Sequence, residues 1–159
     1  MKKKIFTVGH STHPIAEFLK ILKAFEISLL IDVRHYPGSK HCPQFGKERL
    51  KKSLAKAGIT YLHLMDLGGR RPPDKSLTQN LAWRSPQFRG YADYMTTPTF
   101  KKSLKELMAL SQQQTTVIMC AEAVPWRCHR SLIGDALLAK GFQVEDIFSA
   151  ILSKPHGLT

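Results

Sequence analysis

Short apolar runs alternate with amphipathic stretches along most of the chain. Residues 5–9 form an apolar run that predicts a first strand. Pro14 suits an early helical position, and Ile15, Phe18, Leu19, Leu22 and Phe25 then recur at helical spacing. Residues 28–33 are apolar except for Ser28 and Asp32, the pattern of a strand buried on both faces. A basic helix is expected over 46–57, closed by Gly58, and a third strand over 59–65. Residues 67–86 are irregular and hold Gly68-Gly69-Arg70-Arg71-Pro72-Pro73 and Trp83. Helices are expected around 87–95 and 99–112, a fourth strand over 116–121, a helix over 128–140 ended by Gly141, and a last strand over 144–148.

Strands alternating with helices predict an α/β fold: one domain over 1–159, with a mostly parallel sheet of about five strands and helices on both faces. Right-handed crossovers favour a Rossmann-like order 3-2-1-4-5, reversing between strands one and four. That reversal would bring Gly9 and Cys120 to one crevice. The end of the chain, 154–159, is read as a loose tail.

The chain has 159 residues and 43% hydrophobic content, enough for one core. No apolar run is long enough for a membrane span. The basic-then-apolar start is too short for a signal peptide, so the cytoplasm is expected. Three cysteines, Cys42, Cys120 and Cys128, do not make a disulfide framework. The net charge of +12 and pI of about 9.9 favour an anionic partner, a small phosphorylated molecule or nucleic acid, over a membrane surface. A solvated basic surface explains the same charge equally well.

Polar side chains collect at the C-terminal ends of the predicted strands, where open α/β sheets place ligands. These ends carry Gly9-His10-Ser11, Asp32-Val33-Arg34-His35, Asp66 with Gly68-Gly69-Arg70, and Cys120-Ala121-Glu122, followed by Cys128-His129-Arg130. Taken together, Thr7-Val8-Gly9-His10-Ser11, Asp32-Val33-Arg34 with Pro37 and Ser39, Leu67-Gly68-Gly69-Arg70, and Cys120-Ala121-Glu122 with Pro125 and Cys128-His129-Arg130 resemble the signature of the domain of unknown function 488 family. The likeness runs from near Ile5 to near Phe148. It implies the fold and the place of the site, and no particular reaction.

Cys120 is the candidate nucleophile, its thiol activated by Arg127, His129, Arg130 or a helix N-terminus. The opposing reading is a small buried apolar residue. Arg130 lies ten residues after Cys120, too far for the tight anion loop of Cys-x5-Arg phosphatases. Glu122 and His10 are candidate proton movers, and Asp32 a further catalytic candidate. Glu122 or Asp32 would otherwise form an ion pair with a neighbouring arginine, and His10 would be satisfied by a backbone carbonyl. Gly9, Ser11, Arg34, Gly69, Arg70, Cys128, His129 and Arg130 are candidates for holding an anion. No metal site is assigned: the His and Cys residues are plausible zinc ligands, but none has ligand spacing. No cofactor is identified, and neither a Walker A loop nor a Gly-x-Gly-x-x-Gly fingerprint is present.

The expected function is that of a small enzyme, a hydrolase or transferase, acting on a phosphate-bearing substrate such as a nucleotide or nucleic acid in a basic cleft. The alternatives are a non-catalytic nucleic-acid-binding module, using Lys47, Arg49, Lys51, Lys52 and Lys56, and a thiol- or metal-based redox sensor.

Overall fold

The computed structural model describes residues 3–38, 41–69, 86–123 and 128–157, with 86–88 described through the backbone only. The elements are β1 (Lys4–Gly9), α1 (Ile15–Ala24), β2 (Leu29–Asp32), α2 (Lys47–Lys56), β3 (Thr60–His63), α3 (Pro86–Tyr94), α4 (Pro98–Ser111), β4 (Thr116–Cys120), α5 (Arg130–Ala139), β5 (Gln143–Ser149) and β6 (Leu152–Pro155). They build an α/β fold around one sheet, parallel except at the β5–β6 pair. Among the described residues no helix is long and apolar enough to cross a membrane.

The central strands read as apolar runs because both their faces are covered. Phe6, Val8, Leu30, Val117 and Met119 point to one face, where they meet Phe18 and Leu22 of α1 and Leu50 and Leu54 of α2. Ile5, Leu29, Ile31, Ile118 and Cys120 alternate onto the other face, against Phe100, Leu104 and Leu107 of α4 and Leu132, Ile133 and Leu137 of α5. Thr97 caps α4 by accepting the Phe100 N–H at 3.3 Å, with Pro98 following at the first helical position. Helices α2 and α5 stop where Gly58 and Gly141 take positive φ, 77° and 86°, as their sequence positions predict.

The strand order is 3-2-4-1-5-6, so β4 sits between β2 and β1 where the expected order 3-2-1-4-5 left those two adjacent. Moving from β1 to β2 the chain steps over one position and leaves a slot, which β4 later fills. Strand sequences that are apolar on both faces carry little information about which neighbour they take. The adjacency of β1 and β4 survives, with Gly9 opposite Cys120. The helices after β1 and β2 cover one face and the helix after β4 covers the other. The C-terminal end of β4 is therefore bounded on both sides by a change of face.

The reading of 154–159 as a loose tail is corrected over 154–156, and residues 158–159 lie outside the described residues. Residues 152–155 pair antiparallel with β5, and His156 is buried. Its Nδ1 contacts Asp146 Oδ2 at 2.8 Å, and its Nε2 contacts Asp135 Oδ1 at 2.9 Å and the Ser131 carbonyl at 3.0 Å. Asp146 is held in turn by the Thr7 hydroxyl. All partners of the ring are acceptors, so both nitrogens must donate and the ring is an imidazolium. Burial opposes that charge, but the two carboxylates outweigh it and raise the pKa to about 9.

Candidate functional site

The ends of β1, β2 and β4 stay bonded beyond the strands. The His10 N–H donates to the Cys120 carbonyl and the Ser11 N–H to the Ala121 carbonyl, both at 2.9 Å, and Val33 N–H donates to the Met119 carbonyl at 3.0 Å. Gly9 makes this closeness feasible: a Cβ there would lie 1.5 Å from the Glu122 carbonyl oxygen and 2.7 Å from Arg130 Nη1. The segments share the sheet edge, but their side chains divide between its two faces.

On the α1/α2 face, Asp32 is fully buried and its carboxylate grips Arg34. Oδ1 accepts the Arg34 backbone N–H at 3.0 Å and Nε–H at 2.9 Å, and Oδ2 accepts Nη2–H at 2.7 Å. The Tyr61 hydroxyl donates to Oδ2 at 2.6 Å, and burial followed by the Asp32 charge pushes the Tyr61 pKa upward. His63 Nε2–H donates to the Arg34 carbonyl at 2.7 Å. Arg34 Nη1 then reaches His10 Nε2 at 3.4 Å.

His10 stacks on Phe45, centroids 4.3 Å apart and planes at 16°, and donates from Nδ1 to the Ser11 carbonyl at 2.8 Å. Its two nitrogens are therefore committed, one as donor and one as acceptor. Burial, reinforced by the Arg34 charge and opposed by the bond to Ser11, lowers its pKa to about 4. Ser11 itself has φ 48°, in the left-handed region a non-glycine residue rarely occupies. The partner of His10 is the Ser11 backbone carbonyl.

On the α4/α5 face, Cys120 is 1% exposed and Arg130 fully buried. Arg130 Nη1–H donates to Cys120 Sγ at 2.9 Å and to the Glu122 carbonyl, and Nη2–H donates to the Ala123 carbonyl at 3.3 Å. Among the described residues no carboxylate pairs with this guanidinium, and its Nε has no hydrogen-bond partner. Separation in sequence does not keep Arg130 from the sulfur: Cys120 ends β4, and Arg130 opens α5 with its side chain reaching back. Burial alone would raise the Cys120 thiol; hydrogen bonding from Cys128 and the charge and hydrogen bond of Arg130 outweigh it and lower the pKa. Burial and the neighbouring Cys120 push the Cys128 thiol up.

Cys128 Sγ lies 3.3 Å from His129 Nδ1, and His129 Nε2–H donates to the Val33 carbonyl at 2.7 Å. That carbonyl can only accept, which fixes the proton on Nε2 and turns the Nδ1 lone pair to the Cys128 thiol in the neutral ring. Gly69 packs against the same ring, where a Cβ would fall 2.4 Å from Nδ1, and a Cβ at Gly68 would fall 2.7 Å from His35 Cα. Close packing against the two histidines accounts for the glycine pair. The Glu122 side chain is exposed, and among the described residues it forms no ion pair with Arg34 or Arg130.

Arg70, Arg127, Pro125, Trp126, Ser39 and the loop through Trp83 lie outside the described residues. Among the described residues no group of three His, Cys, Asp or Glu side chains is placed to hold a metal ion. Sequence reasoning missed Tyr61 and His63. The polar alternation of Tyr61 and His63, on a strand expected beside Asp32, was the available signal. The Phe45 ring lies under His10.

The family model described as "Domain of unknown function DUF488" matches residues 14–137, and the chain belongs to that family. No curated protein and no solved structure matches it at significance.

Proposed function

We propose that this member of the DUF488 family is an enzyme, a hydrolase or transferase, that uses Cys120 as nucleophile on an anionic, phosphate-bearing substrate such as a nucleotide. The observation that carries the reading is the buried Arg130 guanidinium 2.9 Å from Cys120 Sγ with no carboxylate pairing among the described residues. A buried cation without an anion is costly, and a thiolate is the counter-charge within hydrogen-bond reach. Once ionised, Cys120 is the better nucleophile.

The rest of the site divides the work. Arg34, fixed by Asp32 and Tyr61, holds the β2 end and His10 in place. His10 has both nitrogens engaged and stays neutral above about pH 4, so the exposed Glu122 carboxylate is the better candidate to move protons for the leaving group or an attacking water. The net charge of +12 supports an anionic substrate, and Ser11 and Arg70 are the candidates to contact it.

Purified protein offered nucleotides and phosphorylated small molecules should turn one of them over. Cys120→Ser should abolish turnover, and Glu122→Gln should reduce it about a hundredfold. Full activity in both variants, with the fold retained, would remove both residues from the mechanism.

One observation favours a second reading, a nucleic-acid-binding module: Arg49, Lys51, Lys52 and Lys56 all stand exposed on α2. It predicts affinity for an oligonucleotide that falls steeply with salt and is lost in Lys51→Glu/Lys52→Glu. Salt-independent binding would exclude it.

A further inference from the structure

We propose that Cys120 and Cys128 form a two-thiol redox centre that reduces hydroperoxides, with Cys120 the thiol that is oxidised and Cys128 the thiol that resolves it to an intramolecular disulfide. The proposal rests on the same Cys120 thiolate as the activity above, but on none of its assumptions about substrate.

Three features meet here that packing alone does not require. Both thiols are buried in one apolar cluster, Cys120 at 1% and Cys128 at 6% exposure. Arg130 donates from its guanidinium to Cys120 Sγ at 2.9 Å and opens α5 two residues after Cys128. His129 faces Cys128 Sγ at 3.3 Å with Nδ1, its other nitrogen tied to the Val33 carbonyl. The two thiols shift one another's acidity in opposite directions, Cys120 down and Cys128 up. One sulfur is thus poised as thiolate while the other keeps its proton. That is the division of labour between an attacking and a resolving thiol.

The first step forms an S–O bond as the Cys120 thiolate attacks the hydroperoxide. The O–O bond breaks, and the departing alkoxide or hydroxide takes a proton from water. Cys120 becomes a sulfenic acid, oxidised by two electrons. In the second step Cys128 gives its proton to His129 Nδ1 and attacks the Cys120 sulfur. The S–S bond forms, the S–O bond breaks, and the leaving hydroxide takes the proton from His129 to become water. One hydroperoxide and two thiols thus give one alcohol (water, from hydrogen peroxide), one water and one disulfide. A dithiol reductant returns the pair to its starting state.

The test uses the full chain, reduced and then treated with one equivalent of hydrogen peroxide, with no phosphate compound present. Non-reducing peptide mapping should find Cys120 linked to Cys128, with Cys42 free, and dithiothreitol should reverse the link. Cys128→Ser should stop at a Cys120 sulfenic acid that dimedone traps. His129→Gln should leave the first step unchanged and slow disulfide formation about tenfold. Over-oxidation of Cys120 in the wild-type chain while Cys128 stays a free thiol would overturn the proposal, as would a link through Cys42. Mapping of the wild-type chain decides this even where a variant fails to fold. Loss of this chemistry with substrate turnover intact, or the reverse, separates the two readings.

Discussion

Arg130 Nη1 lies 2.9 Å from Cys120 Sγ, with both side chains buried. A guanidinium cannot shed its proton, so the charge stays and the sulfur answers it. Arg130→Met should therefore return the Cys120 thiol to a higher pKa. Its alkylation by iodoacetamide at pH 7 should slow about tenfold as the thiolate fraction falls. A rate–pH profile that superimposes on the wild type would show that the guanidinium does not control the thiol.

Asp32 carries the other arginine. Asp32→Asn removes the charge from a fully buried contact and leaves Arg34 with a weaker acceptor, and should cost about 3–5 kcal/mol in denaturant unfolding. Tyr61→Phe removes one donor to the same carboxylate and should cost about 1–2 kcal/mol. Equal losses in the two variants would mean that the tyrosine, not the ion pair, holds this corner.

Gly9→Ala places a methyl carbon 1.5 Å from the Glu122 carbonyl oxygen and 2.7 Å from Arg130 Nη1. The strand ends would have to part. Thermal stability and Cys120 reactivity should fall together, with a stability loss of about 2 kcal/mol or more. Loss of stability with unchanged thiol reactivity would show that the close approach serves packing alone.

His156 makes stability depend on pH in the alkaline range. Its pKa rises from 6.5 in the unfolded chain to about 9 in the folded one, so the folded state binds the proton more tightly. The stabilisation, up to about 3 kcal/mol, is fully present below pH 6.5 and is lost as pH rises through 9. Melting temperature should fall between about pH 7 and about pH 10 in the wild type and much less in His156→Ala. Parallel curves would contradict a buried imidazolium.

The sheet was legible because its strands are apolar on both faces and its helices carry one apolar stripe each. The Gly58 and Gly141 stops were legible because positive φ leaves glycine little competition. The order of β1 and β4 was hidden, since Val8 or Met119 fits equally well beside either neighbour. The meeting place of the candidate residues was legible: Gly9, Asp32, Arg34, Cys120 and Arg130 do gather at one sheet edge. Its division was not, because the face each side chain takes depends on where its strand stops, and a strand end read one residue off reverses that face. His156 was missed because the tail after Ser153 shows no periodicity, and its worth lies in Asp135, Asp146 and Ser131, which come from α5 and β5.

Strand β4 fills a slot between two strands made much earlier, and both neighbours of β1 come from beyond residue 115. A nascent chain that has emerged only as far as α4 thus holds β1 without either of its partners. The first half of the protein must wait, unzipped, for the second. Its fragments cannot serve as a minimal unit, and its folding rate is set by contacts that close loops of roughly a hundred residues.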